Sequence, residues 1–256
     1  MEVFSRLKKK IKHRRLLADD NYGTTKEERI RKLNQARKVA KILNVLGVLI
    51  GAAMLFFKWN IQIPVAFGMI APVVFVLILK RYKGLITLEE KKNSPNPSII
   101  WGLLAVMIAI LLRSILAYDI LDFKGIWIPA ALVSLCFFAL MAISIVEFKS
   151  RKPEQLFGMF IMAMISFGYG FGTIVLLNCE FDQSTPIQYH ATILGRSISG
   201  SKSKSYHLEL SPWGPRKEKE EVSVSHTMFN RLNNNEKVNI YLYQGKLKIP
   251  WFYVTD

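Results

Sequence analysis

The sequence predicts an α-helical membrane bundle of five transmembrane helices, followed by a small all-β barrel of the OB-like or SH3-like kind. Hydrophobic residues make up 51% of the 256-residue chain. Nearly uncharged stretches recur between residues 39 and 177, and apolar and polar residues alternate after residue 187. The chain therefore divides into a basic amino-terminal arm (1–38), a transmembrane domain (39–177) and a β domain (178–256).

Five stretches are long enough to cross a membrane. A helix that spans a hydrocarbon core of about 30 Å needs roughly 20 apolar residues. The stretches that meet this requirement are 39–57, 61–79, 99–118, 126–146 and 156–177. The polar residues 58–60 separate the first two, and Pro64 supports the break because proline fits the first turn of a new helix better than a helix interior.

The basic arm has two parts with different expectations. Residues 2–18 place four apolar side chains on one helical face with lysines and arginines around the rest. This is typical of a short interfacial helix on an anionic inner leaflet, and a disordered tail is the alternative. Thr24 and Thr25 with Glu27 and Glu28 have the spacing of a capping box, which predicts a helix that continues directly into the first span.

Basic residues in the flanking segments predict the orientation. Fourteen of the first 41 residues are Lys or Arg, residues 80–98 hold five and residues 147–155 hold three, whereas 58–60 and 119–125 hold one each. Basic loops stay on the cytoplasmic side, so the amino terminus is expected inside. Five spans then place the β domain outside the cytoplasm, and the expected location is a bacterial inner membrane.

The net charge of +16 belongs to the membrane half of the chain. Residues 1–177 contain 25 Lys and Arg against 11 Asp and Glu, while residues 178–256 contain 10 against 8. Topology and attraction to anionic lipid explain this excess, and no folded basic module with interleaved aromatic residues accompanies it. We therefore expect the lipid bilayer, with its anionic inner leaflet, as a partner and no nucleic acid.

Small residues in the first and fifth spans indicate close helix packing. The helix-packing candidates, all at G-x-x-x-G or equivalent spacing, are Gly47, Gly51, Ser166, Gly168, Gly170 and Gly172. Such spacing lets helix backbones approach each other. The packing is compatible with contacts within a protomer or between the protomers of a homo-oligomer.

Arg113 is the one charge deep inside a predicted span. An ionisable group in the bilayer is costly and is therefore a functional hypothesis by default. Arg113 lies about five residues, or ~8 Å of helical rise, from the outer end of the third span. Its side chain can thus snorkel to the interface or pair with Asp119 or Asp122; a solute or ion path is the functional alternative.

No pattern in the chain predicts catalysis. The sequence lacks the zinc motif H-E-x-x-H, the nucleophile elbow G-x-S-x-G and a pair of carboxylates within the spans. His190, His207 and His226 fall in one small domain without ligand spacing, and surface histidines on neighbouring strands explain them more simply. We therefore expect no catalytic residue, no metal and no cofactor.

Alternating segments define the β domain. Apolar residues occupy every second position in 189–193, 206–210, 222–224 and 238–242, which predicts four strands. Ser225 is placed to cap a short helical turn, and Gly245 turns the chain into a fifth strand with Leu247, Ile249 and Tyr253. Five short strands with one helical turn indicate a small closed barrel. Its aromatic anchors are Trp213, Trp251, Phe252 and Tyr253.

Three short segments of the β domain carry a resemblance. They are Asp182-x-Ser184-x-Pro186, Trp213-Gly214-Pro215 and Gly245-x-Leu247-x-Ile249-Pro250-Trp251-Phe252. Together they resemble the ending of a group of uncharacterised bacterial multi-pass membrane proteins. The architecture is also similar to that of NfeD-like proteins, whose barrel is an OB fold. The resemblance covers roughly residues 180–256, implies a fold and carries over no catalytic residue.

These observations favour a non-enzymatic multi-pass membrane protein. In this interpretation the helices anchor the β domain and present it to an extracytoplasmic protein partner or for complex assembly. The alternative is a transporter or channel component in which Arg113 lies near a solute path.

Overall fold

The computed structural model describes residues 24–57, 60–82, 84–88, 96–145, 153–201 and 204–256. The chain forms two compact units, the first comprising Met1–Leu116 with Ile126–Leu176, and the second comprising Ala117–Gly125 with Leu177–Asp256. The first unit is helical and the second contains the β structure. The interfacial helix predicted for residues 2–18 lies outside the described residues.

Long apolar helices make up the first unit, except that residues 124–125 and 177–180, at two of the helix ends, belong to the second unit. They are α1 (Lys26–Phe56), α2 (Gln62–Arg81), α3 (Ile100–Leu116), α4 (Lys124–Ser144) and α5 (Pro153–Glu180). Among the described residues, α1, α2, α4 and α5 are long and apolar enough to cross a membrane. α3 has 17 residues, a length of about 26 Å at 1.5 Å per residue. Four of the five predicted spans are thus matched by helices of sufficient length, and the third is shorter.

The two ends of α1 follow the predicted signals. The Thr25 hydroxyl accepts a hydrogen bond from the Glu28 amide at 3.2 Å, and the Glu28 carboxylate accepts one from the Thr24 amide at 3.0 Å. These bonds satisfy amide groups that have no partner inside the helix. α1 ends at Phe56 and α2 begins at Gln62, so the predicted break between the first two helices is confirmed.

α1 and α3 pack closely and run in the same direction. A Cβ atom added to Gly47 would overlap the backbone of Gly102, and one added to Gly51 would lie 2.8 Å from a carbonyl oxygen in the next turn of α3. Further along both helices, Arg113 donates a hydrogen bond to the carbonyl oxygen of Met54 at 3.0 Å. Later residues of α1 therefore meet later residues of α3, as parallel neighbours do.

α4 and α5 pack in opposite directions. A Cβ atom added to Gly170 would lie 2.6 Å from the carbonyl oxygen of Ala130. The hydroxyl of Ser166 lies 3.9 Å from the sulfur of Met141. Earlier residues of α5 thus meet later residues of α4, and small side chains let the two backbones approach.

The second unit is built on a six-stranded antiparallel sheet with the order β1-β6-β5-β2-β3-β4. The strands are β1 (Asp119–Ile120), β2 (Ile187–Ser199), β3 (Ser205–Leu210), β4 (Glu220–Val224), β5 (Lys237–Tyr243) and β6 (Trp251–Thr255). The short helix α6 (His226–Arg231) follows β4, and Ser225 caps it by accepting a hydrogen bond from the Met228 amide at 3.2 Å. The predicted all-β domain with one helical turn is confirmed.

The sheet is a curled half-barrel and not the closed barrel that the strand count predicted. β2 pairs with β5 along 187–192 and with β3 along 193–199, with a register shift between Ile193 and Gly195. An irregularity of this kind bends a strand. The sheet therefore curls at the point where β2 changes its partner from β5 to β3. Within the described residues the hydrogen-bonded order ends at β1 and β4. β1 contributes only two residues, which is too short a strand to complete the ring.

The core of the second unit lies between the sheet and α6. Its members are Ala191, Ile193, Leu208, Leu210, Trp213, Val222, Met228, Phe229, Leu232, Val238, Ile240 and Phe252. Trp213 and Phe252 are in contact there, with ring centroids 5.0 Å apart. Two of the four predicted aromatic anchors are therefore core residues.

The phase of the last strand differs from the prediction. Phe252 is 2% exposed whereas Tyr253 is 37% exposed, so Tyr253 does not share a buried face with Ile249. Lys248 has a φ of +59° within the turn that precedes β6. Because this turn interrupts the extended backbone, the alternation starts again at Trp251 and places Phe252 inside.

Candidate functional site

A cluster of polar side chains joins the end of α5 to the turn before β6. We call Asn178, Asp182 and Ser184, together with the turn 244–250, the junction cluster. The Asp182 carboxylate accepts hydrogen bonds of 2.9 Å from the Gly245 amide and from the indole nitrogen of Trp251. The Ser184 hydroxyl accepts one from the amide of residue 244 at 3.1 Å. The turn is thereby fixed to the chain that leaves α5.

The Asp182 carboxylate has four donors and acts as a structural group. Besides Gly245 and Trp251, the amide and the hydroxyl of Ser184 donate to it at 2.9 and 3.0 Å. Burial by itself raises the pKa of Asp182, but the hydrogen bonds from Ser184, Trp251 and Gly245 outweigh it and hold the pKa below its usual value. An ionised carboxylate with its lone pairs occupied has little capacity to accept a substrate proton.

Asn178 provides the second attachment of the turn and is fully buried. Its side-chain nitrogen donates to the carbonyl of Ile249 at 2.8 Å, and its side-chain oxygen accepts from the amide of Leu247 at 2.9 Å. Gly245 has a φ of +77°, and a Cβ atom there would overlap the Ile249 carbonyl. The turn therefore requires glycine at this position, and its backbone is held directly by the last turn of α5.

The junction cluster unites two of the three segments that carry the family resemblance. One segment supplies Asp182 and Ser184, and another supplies Gly245 and Trp251. The third segment has a different place, because Trp213 lies in the core of the half-barrel with 3% of its surface exposed. One hydrogen-bonded cluster thus gives a structural role to residues of two of the three segments.

A row of aromatic side chains covers the outer side of β5 and β6. Tyr243 stacks on Trp251 with centroids 4.6 Å apart, Tyr241 stacks on Tyr253 at 5.3 Å, and Tyr118 meets Trp251 edge to face at 5.4 Å. We call these five residues the aromatic face. The residues that alternate with them along β5 and β6 pack against the core. Burial raises the pKa of Tyr243 to about 12, so its hydroxyl stays a neutral hydrogen-bonding group.

Two carboxylates interact across the open edges of the half-barrel. The pKa of Asp119 on β1 is raised to about 6, mainly by burial and in smaller part by the negative charge of Glu220 on β4. Glu220 also pairs with Arg216 at 2.8 Å. Like charges placed opposite each other on paired strands are unfavourable, so this pair of carboxylates opposes direct pairing of β1 with β4, the two ends of the strand order.

Arg113 lies between the helices of the first unit. It donates to the carbonyl oxygen of Met54, in the last turn of α1. Carbonyl groups in the last turn have no partner inside the helix and form the negative end of its dipole, so a guanidinium group stabilises them. Pairing of Arg113 with Asp119 or Asp122, which the sequence suggested, stays a prediction. A solute path beside Arg113 stays a prediction.

The six helix-packing candidates lie inside the bundle. Gly47, Gly51 and Gly172 face α3, and Ser166 and Gly170 face α4. Gly168 has more room, because a Cβ atom added there would lie 3.7 Å from the side chain of the nearest α3 residue. These close approaches are therefore contacts within one protomer.

The three histidines of the second unit have separate surroundings. His207 lies 3.0 Å from the hydroxyl of Ser199, and His226 lies 2.9 Å from the side-chain nitrogen of Asn230. His190 sits on β2 opposite β5. Within the described ranges no three His, Cys, Asp or Glu side chains come together as a ligand set.

Two asparagines in apolar helices have roles that the sequence pattern did not single out. Asn44 of α1 accepts a hydrogen bond from the Gly102 amide at 2.8 Å and donates one to the Ser98 carbonyl at 2.7 Å. Asn44 thereby provides hydrogen-bond partners for backbone groups at the start of α3. Asn178 does the same for backbone groups of the turn 244–250. The sequence did offer a signal for the two asparagines, namely an amide side chain within an apolar helix. A buried amide is costly unless it is hydrogen-bonded, so such a residue indicates a polar partner.

Comparisons with protein-family models, with curated proteins and with solved structures found no match to this chain. The fold and the arrangement of its side chains therefore carry the functional argument. The resemblance to multi-pass membrane proteins with a small barrel stays a prediction.

Proposed function

We propose that this chain is a non-enzymatic multi-pass protein of a bacterial inner membrane that presents its β unit outside the cytoplasm to a protein partner. The observation that carries the proposal is the aromatic face on β5 and β6. It stands beside the junction cluster, which fixes the preceding turn to α5. The residues that follow α5 thus fix the turn that leads into β6, one of the two strands that carry the aromatic face.

The proposed orientation requires a fifth membrane crossing by α3, and the length and packing of this helix support one. Its 17 residues are at the lower end of the range of about 17–25 residues that spans a bilayer. α3 packs parallel to α1, which is itself long and apolar enough to cross. Parallel neighbours cross in the same direction, so α3 supplies the third of five crossings. The basic residues before α1 stay in the cytoplasm, and the chain ends outside.

The chemistry of the aromatic face supports a protein partner. Tyr and Trp dominate the energetics of protein interfaces, and stacked rings lose little conformational freedom on binding. Gln188 lies on the same side of the sheet, opposite Tyr241, and donates a hydrogen bond to Asn239 at 3.0 Å. Uncharged amide groups border the rings beside Tyr241, and the carboxylates of Asp182 and Glu180 accept hydrogen bonds from Trp251 and Tyr118. This border favours a partner surface that is apolar with a polar rim.

The non-enzymatic part of the proposal is supported by how the polar groups are used. The carboxylate of Asp182 has four donors, and the thiol-bearing Cys179 is 4% exposed.

The barrel type in this proposal remains OB-like or SH3-like, opened between β1 and β4. The long strand β2, which bends and pairs with both β3 and β5, supports this barrel type.

Photocrosslinking in intact cells tests the proposal. A photoreactive phenylalanine analogue replaces Tyr253 in one variant and Lys217, an exposed residue before β4, in a control. We expect an adduct from position 253 that is absent from position 217. A differently tagged second copy of the chain distinguishes a homo-oligomer from another protein. Equal adducts at both positions, or none at position 253, would contradict the aromatic face as the contact surface.

A further inference from the structure

We propose that the turn 244–250 is a docking site for anionic phospholipid headgroups. Lys246, Leu247 and Lys248 on the turn, with Phe123 and Lys124 beside it, form what we call the turn surface. Its place at two helix ends, its exposed apolar side chains and its positive charge point to this ligand. The residues of this site belong neither to the basic arm (1–38) nor to the aromatic face.

The turn is attached to the ends of two helices that are long and apolar enough to cross a membrane. Asn178, two residues before the end of α5, holds the amide of Leu247 and the carbonyl of Ile249. Gly125, in the first turn of α4, lies close to Ile249, because an added Cβ atom would be 3.1 Å from the Ile249 Cγ1 atom. The ends of apolar spanning helices stand at the level of lipid headgroups. The turn surface therefore lies in that layer.

Two apolar side chains of the turn surface are exposed. Leu247 is 39% exposed and Phe123 is 44% exposed. Single exposed apolar residues are common on proteins, but these two stand at the membrane boundary and are flanked by lysines. Apolar side chains among basic ones are the composition of segments that lie in the interface of an anionic membrane.

The charge of the turn surface is complementary to an anionic headgroup. Lys124, Lys246 and Lys248 are all exposed. Asp122 is the neighbouring acid on the 119–125 segment, and its carboxylate accepts a hydrogen bond from the Lys124 amide at 2.9 Å. The Lys248 amide donates to the Gly245 carbonyl at 3.0 Å, so the turn presents its lysines from a fixed backbone. Each basic residue near a membrane surface strengthens binding to anionic lipid by about fivefold.

An environment-sensitive fluorophore on the turn reports its contact with lipid. The full chain carries Leu247→Cys for the label and Cys136→Ser to remove the exposed native thiol; Cys179 is buried. The labelled protein is placed in nanodiscs of phosphatidylcholine alone or with roughly 30% phosphatidylglycerol. Asn234→Cys, on the turn between α6 and β5, is the position control. K246Q/K248Q is the charge variant, and K204Q/K217Q is its matched control in the same unit.

The label at position 247 is expected to emit at shorter wavelength than the label at position 234, and a lipid-borne quencher is expected to quench it. Its response to phosphatidylglycerol should fall by about 25-fold in K246Q/K248Q, which removes two basic residues, and persist in K204Q/K217Q. An unchanged response in K246Q/K248Q would overturn the proposal, as would a label at 247 as water-exposed as that at 234. Thermal unfolding of each variant shows that it is folded. The site is proposed at the end of α5, whichever side of the membrane this end occupies. The result of the experiment therefore does not depend on the proposed orientation.

Discussion

The indole nitrogen of Trp251 donates a hydrogen bond of 2.9 Å to the carboxylate of Asp182. Asp182 lies two residues beyond the end of α5, and Trp251 is the first residue of β6. One bond therefore links the segment just after α5, a helix long and apolar enough to cross a membrane, to the strand that carries part of the aromatic face. The same carboxylate holds the Gly245 amide, so the turn and the strand share one anchor.

Asp182→Ala and Trp251→Phe are expected to be coupled. Each removes one partner of the same bond, and a hydrogen bond to a charged group contributes on the order of 1–2 kcal/mol in a partly exposed site. A double-mutant cycle on the free energy of unfolding of the full chain in detergent should give a coupling of about that size. Ser225→Ala, which removes the cap of α6, is the control and should be additive with Trp251→Phe. Additivity of Asp182→Ala with Trp251→Phe would contradict the bond's role.

Asn178→Ala is expected to release the turn 244–250. The substitution leaves the Leu247 amide and the Ile249 carbonyl without their present partner, which costs about 1–3 kcal/mol for buried groups. Hydrogen exchange of the amides in 245–249 should accelerate strongly. The amides of β3, which pair with β2 and β4, should keep their protection. Equal acceleration in β3 would mean that the unit unfolds as a whole and that Asn178 is not a local anchor.

Gly47→Ala and Gly168→Ala should differ although both change the same residue type. A methyl group at Gly47 would overlap the backbone of α3, whereas one at Gly168 would make an ordinary contact at 3.7 Å. We expect Gly47→Ala to destabilise the bundle by about 1–3 kcal/mol and Gly168→Ala to stay within roughly 0.5 kcal/mol of the wild type. Thermal unfolding in detergent compares the two. Similar losses for both would exclude close α1–α3 packing as the cause.

Asp119→Asn is expected to stabilise the second unit at alkaline pH. The folded pKa of Asp119, about 6, lies above its ordinary value of 3.8, so the folded state binds a proton more tightly than the unfolded state. Stability therefore falls as pH rises from about 4 to about 6 and is constant above that range. The substitution removes the buried charge, so the gain in melting temperature should be larger near pH 8 than near pH 4.5. A gain that does not depend on pH would contradict this account; Asp122→Asn is the control on the same segment.

Periodicity in the sequence predicted the elements that depend on one face of a helix or strand. The breaks around the apolar stretches gave the ends of α1 and α2, and the alternation in 189–193 and 238–242 gave strands that pack on the core. The Thr25 and Ser225 caps were also predictable, because they depend on residues three positions apart. These features are local, and local chemistry determines them.

Features that depend on contacts between distant segments were not predictable in this way. β1 has two residues and therefore no period, so residues 119–120 read as a loop. The positive φ of Lys248 interrupts the alternation before β6, so Tyr253 does not share the buried face that was expected for it with Ile249. The partners of Asn178 lie about 70 residues away along the chain. An amide side chain in an apolar helix indicates that it needs a partner, but no local pattern identifies a partner at such a separation.

Labelling of engineered cysteines in intact spheroplasts with a membrane-impermeant maleimide tests the central claim most directly. Ser201→Cys and Asn234→Cys lie in the β unit, and Ser94→Cys, which is outside the described residues, lies in the predicted cytoplasmic loop; all are made in the Cys136→Ser background. Five crossings predict that positions 201 and 234 react in intact spheroplasts and that position 94 reacts only after the membrane is opened. Labelling of 201 and 234 only after opening would mean that α3 does not cross the membrane. It would place the β unit in the cytoplasm and contradict the proposed function.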